Sequence, residues 1–89
     1  MWKQSEVKEK IVEIVNELMK NVNIELSQLD DDLVEFGLDS IIFVQLIVEI
    51  EEVFQVDVPD KALYISELNT INKITKLVEI LLLNIQHKA

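Results

Sequence analysis

Apolar residues recur at three- and four-residue spacing along most of this chain, and a single glycine and a single proline interrupt the pattern in 89 residues. An all-β fold needs a turn every few residues, and turns draw on glycine and proline, so that class is set aside at once. The spacing predicts an all-α domain. Val7, Ile11, Ile14, Val15 and Leu18 form one stripe, which reads as a helix over about 5–20 with Ser5 as N-cap. Leu46, Ile47, Ile50 and Phe54 form a second, over about 40–54 with Asp39 as N-cap. Ile74, Leu77, Val78, Leu81, Leu82 and Ile85 form a third, over about 71–85 with Thr70 as N-cap. A short helix is expected over about 61–67, and Gln86–Ala89 is expected to fray. Eighty-nine residues suffice for one domain, 1–89, and a core that small must use nearly every stripe it has.

Between the first two stripes, residues 21–38 have no period. Asn21, Asn23, Ser27, Gln28 and the Asp30-Asp31-Asp32 run are loop chemistry. A loop this long in a small domain must be pinned down, and Ile24, Leu29, Leu33, Phe36 and Leu38 are the pins on offer. Phe54–Pro59 reads as a connector. Gly37 stands just before the second helix, where a positive φ or a close approach is expected.

The second helix has more apolar residues than one core face can bury. Besides its core stripe it carries Ile41, Ile42, Phe43, Val44, Val48 and Val53. A second apolar face implies a partner. The expected docking strip is Ile41, Val44 and Val48, edged by Gln45, Glu49, Glu51 and Glu52, with Asp60 nearby. Charge points the same way. The formal net charge is −9, and residues 21–60 hold eleven acids and no lysine or arginine. Such a field repels nucleic-acid backbones and attracts basic proteins.

Several chemistries are excluded. Without cysteine there is no disulfide, thiolate metal site or cysteine nucleophile. Asp30-x-Asp32 opens like a calcium loop, but Val34 and Glu35 stand where an oxygen ligand and a glycine are required. A serine hydrolase needs a base, and the one histidine, His87, lies in the terminal tail, two residues from the end. No apolar run reaches the roughly 20 residues of a membrane span, and the N-terminus does not read as a signal peptide. The expectation is a cytoplasmic monomer, free-standing or cut from a larger enzyme. Trp2 reads as a packing anchor, and Phe36, Phe43 and Phe54 as core, with Phe43 able to line a groove.

What remains is Gly37-Leu38-Asp39-Ser40-Ile41, which sets a serine on the first turn of a helix, where unpaired N–H groups and a partial positive charge favour an anion. The run resembles the acyl carrier and peptidyl carrier family. Asp32-Leu33, Phe36-Gly37-Leu38-Asp39-Ser40-Ile41, Glu51-Glu52-Val53-Phe54, Val58-Pro59-Asp60 and Thr70-Ile71 occur in the family's order and at near-family spacing. The resemblance implies a four-helix bundle with a short third helix. It also implies 4′-phosphopantetheine on Ser40, transferred from coenzyme A by a phosphopantetheinyl transferase, with Leu38, Asp39 and Ile41 around the attachment point. The chain is then no enzyme. It holds an acyl or aminoacyl thioester and presents it to loading, condensing or modifying enzymes with basic docking surfaces. Within that family Asp-Ser-Ile, followed here by Ile42, is more typical of polyketide and nonribosomal peptide carriers than of fatty-acid carriers. Lys61 and Tyr64 also interrupt an otherwise acidic face. The expected pathway is therefore of the polyketide or nonribosomal peptide type. The alternatives are a fatty-acid or D-alanyl carrier of primary metabolism, or an unmodified docking adaptor.

Overall fold

A computed structural model describes residues 2–20 and 22–87. Its three α-helices are α1 (Gln4–Leu18), α2 (Ser40–Phe54) and α3 (Ile71–His87), joined by segments that hold four 3-10 turns. Among the described residues there is no strand. The all-α reading holds, with three helices of full length rather than four.

α1 starts before Ser5. Its N-cap is Lys3, whose N–H donates to Glu6 Oε1 at 3.0 Å, so the reach-back of Glu6 takes the place of a serine cap. Val7, Ile11, Ile14 and Val15 are buried, as their spacing predicts. α1 packs against both other helices, and one core joins all three. Trp2 lies against Phe54 with ring centroids 4.7 Å apart, an anchor tying the N-terminus to the end of α2.

The long connection between α1 and α2 is pinned as expected by Ile24, Leu33 and Leu38, all buried, with Leu29 and Phe36 partly so. Polar clamps share the task. Asn16 on α1 takes the Ile24 N–H (2.7 Å) on its side-chain oxygen and donates its NH₂ to the Ile24 carbonyl (3.1 Å). Leu33 N–H donates to the Asn69 carbonyl at 2.7 Å, and Asn72 N–H to the Leu29 carbonyl at 3.0 Å. The Asn72 side chain also donates to Asp30 at 2.7 Å. These bonds tie the loop to the start of α3 and use backbone groups that a helix end leaves orphaned.

The short helix expected over 61–67 is instead two 3-10 turns, Asp60–Ala62 and Ile65–Glu67, with Leu63 and an extended Tyr64 between them. Seven residues repay helix nucleation poorly. The inward side chains, Ala62, Ile65 and Leu68, are spaced by three, which matches the 3-10 period better than 3.6.

α3 starts as expected, with Lys73 N–H donating to Thr70 Oγ1 at 3.1 Å. Ile71, Ile74 and Val78 are fully buried. Thr75 is buried as well, its hydroxyl donating to the Ile71 carbonyl at 2.8 Å. Ile85, expected to face inward, is exposed, because α3 runs on past the last residue it buries. The helix continues through Gln86 and His87; the rest of the expected frayed end, 88–89, lies outside the described residues.

Candidate functional site

The start of α2 is prepared by the turn before it. Gly37 adopts φ +108° and closes the Leu33–Phe36 turn, a conformation open to glycine without a Cβ penalty. Leu38 is then buried, its N–H donating to the Leu33 carbonyl at 3.0 Å. With Leu38 anchored, Asp39 is extended and caps α2: its carboxylate accepts the Ile42 N–H at 2.9 Å, and its carbonyl accepts the Phe43 N–H at 2.8 Å. Asp39 is thus a cap, as its position predicts.

Ser40 follows on the first turn, exposed, and its hydroxyl has no hydrogen-bond partner among the described residues. The Ser40 and Ile41 amides are likewise unclaimed there, since the Asp39 carboxylate is committed to Ile42. An anionic ester on Ser40 would sit beside the positive end of α2 with two N–H donors at hand.

From Ser40 an apolar groove of about 460 Å³ runs along α2. Phe43, Val44, Ile47 and Val48 form its α2 side, and Leu63, Tyr64 and Ile65 the other. Phe43 is both core and groove wall. Nothing in the sequence marks Leu63 or Ile65 for this groove, and Tyr64 stands there only as a break in an acidic face. The available signal was a run of large apolar residues after Pro59 that fits no helical stripe.

The strip on α2 is present. Ile41 is 70% exposed, Val44 60% and Val48 46%, on the face turned away from Leu46 and Ile50. Gln45 and Glu52 beside it are exposed, Glu49 is half-buried, and Asp60 is exposed on its turn. Glu51 departs from the expectation. It is half-buried, and its carboxylate accepts the Val58 N–H at 2.9 Å, holding the connector against the end of α2. The acidic run before α2 is also partly structural, with Asp32 accepting the Val34 N–H and Asp30 the Asn72 side chain.

An exposed serine at a capped helix start, beside an apolar groove and an exposed apolar strip edged by acids, is an arrangement that suits a carrier domain. The comparisons agree. The family model for the phosphopantetheine attachment site matches residues 9–78, and the chain belongs to this family. Its members bear 4′-phosphopantetheine as a covalent prosthetic group, and the open amides and exposed hydroxyl at the start of α2 suit such a group. The chain is also 38% identical over 78 residues to the D-alanyl carrier protein of Leuconostoc citreum, covering 85% of this chain and 96% of that protein. To the D-alanyl carrier protein of Streptococcus gordonii it is 40% identical over 73 residues, 80% of this chain and 89% of that protein.

Proposed function

We propose that Ser40 carries the phosphopantetheine arm and that the cargo is a D-alanyl group, held as a thioester and presented to partner enzymes that dock on α2. The placement of Ser40, exposed and unpaired on the first turn of α2, carries the attachment reading. The cargo reading rests on the D-alanyl carriers that resemble this chain over most of both lengths. They favour the primary-metabolism alternative over the polyketide or nonribosomal peptide pathway expected from Ile41 and Ile42.

The chain's own contribution is positional. Asp39 and Gly37 hold the serine in solvent, the α2 amides receive the phosphate oxygens, and Ile41, Val44, Val48 and Glu52 form the docking face. When bound, the arm supplies the thiol that bears the cargo. An α-ammonium gains nothing from an apolar groove and loses its hydration there. A D-alanyl cargo therefore stays in solvent at the end of the arm, and the groove is left to apolar parts of the arm or of a partner.

Two measurements test this. Incubation with coenzyme A and a broad-specificity phosphopantetheinyl transferase, followed by intact mass, is expected to add one arm to the wild type and none to Ser40→Ala. A folded wild type that gains no mass overturns the attachment reading. The arm-bearing protein is then offered D-alanine, L-alanine and a medium-chain fatty acid with the matching ATP-dependent ligases. Preferential loading of D-alanine is expected, and preference for the fatty acid overturns the cargo reading.

A further inference from the structure

Lys61, Lys73 and Lys76 rim a second depression of about 510 Å³, with Leu77 and Ile80 in its floor and Tyr64 in its wall. All three lysines are exposed. Lys73 donates to the Ser66 carbonyl (3.3 Å) and to the Asn69 side chain (3.0 Å), neutral groups that leave its charge in place. Lys61 and Lys76 have no hydrogen bond or ion pair among the described residues. Glu67 is the one acid of the lining among the described residues, and it pairs with none of the three. Asp60 and Glu79 lie outside that lining. Three cations against one carboxylate make this rim positive on a chain whose net charge is −9.

The depression adjoins the proposed docking face. Tyr64, 60% exposed, walls both the depression and the groove that starts at Ser40, whose opposite side includes Val44 and Val48 of the strip. A protein that covers the strip and extends past Tyr64 therefore meets the acids of α2 and then the lysines. Acids alone admit any basic surface. Discrimination among basic partners needs an element that costs the wrong one something. A uniformly basic surface laid past Tyr64 brings like charges against Lys61 and Lys76, whereas a partner with carboxylates there gains on both sides.

We propose that Lys61 and Lys76 set docking specificity, selecting a partner whose surface is basic opposite Glu52 and acidic, with an apolar side chain for the floor, opposite the depression. That partner is the ligase that loads the arm, which rests on the reading of Ser40 as the attachment point. The transferase acts at Ser40 itself and needs only the strip beside it. The ligase must enclose the arm down to its thiol, and the mouth it closes around the arm lies over α2 and past Tyr64.

The test compares wild type, K61E/K76E, K61Q/K76Q and K61R/K76R, each shown folded by circular dichroism. The arm-bearing forms are offered to the D-alanine ligase, and the unmodified forms to the transferase with coenzyme A. For K61E/K76E the kcat/KM of loading is expected to fall at least about tenfold, through KM rather than kcat, because like charges then face the partner's carboxylates. The loss is expected to shrink as salt rises. K61Q/K76Q, which adds no charge, is expected to lose less, and K61R/K76R to stay near wild type. Modification by the transferase is expected to stay near wild type in all three variants. Loading of K61E/K76E as fast as wild type, an equal loss in K61R/K76R, or an equal loss with the transferase each overturn the proposal. If the wild type prefers the fatty acid, the same comparison is made with that ligase. Mass separates the failures: a wild type that gains no arm sinks the reading of Ser40, whereas an arm gained and loaded alike on wild type and K61E/K76E sinks this one.

Discussion

Gly37 and Asp39 bracket the site through different physics. Nothing lies within 4 Å of a Cβ built on Gly37, so the cost of Gly37→Ala is conformational: φ +108° is a region L-residues avoid. We expect about 1–2 kcal/mol lost in urea unfolding. Asp39→Ala removes the carboxylate that accepts the Ile42 N–H and is expected to cost about 1 kcal/mol, while Asp39→Asn keeps most of it. Gln55, at φ 54°, is the one described non-glycine residue in the left-handed region, and it ends α2. All three positions punctuate α2 in the structure. The terminators Gly37 and the cap Asp39 were legible; Gln55 was not, because glutamine carries no local signal for a positive φ.

At the scale of elements, the helices were legible and the segments between them were not. α1 and α2 end within two residues of their expected ends, because apolar spacing reports which face is buried. The clamps from Asn69 and Asn72 to the 22–38 segment join residues far apart in the chain, and no local pattern announces such a partner. Asn16, only eight residues from Ile24, is no easier to read, since at sequence level it is a polar residue on a helix face. Asn16→Ala leaves the Ile24 N–H and carbonyl without their partner, and a loss of about 1–3 kcal/mol is expected by thermal or urea unfolding. Glu51 was misplaced for the same reason: its Val58 partner lies across a turn. Glu51→Ala is therefore expected to speed hydrogen exchange at Val58, whereas Glu52→Ala is not. An equal effect of the two substitutions would show that the connector is held by Val56 and Val58 packing alone.

At the scale of the whole molecule, the docking face proposed above gives the exposed Glu52 a part in encounter rather than in stability. Charge reversal at Glu52 is expected to slow modification of Ser40 by a transferase with a basic docking surface, more so at low salt than at high, with unfolding nearly unchanged. A rate indifferent to salt and to Glu52 would leave the acids with a solvation role only. By contrast, Ile74→Ala opens the centre of the core and is expected to cost about 2–5 kcal/mol, measured by urea unfolding. The amino-acid sequence by itself determined the all-α class, the three helical stripes, the capped serine at the start of α2 and the surplus apolar face of that helix. Each of these is written in the spacing of neighbouring residues. Only the tertiary structure decided that 60–67 breaks into two tight turns, that Leu63, Tyr64 and Ile65 wall a groove beside Ser40, and which acids are free to meet a partner. Those outcomes depend on contacts between distant parts of the chain, which are settled when the helices pack and not before.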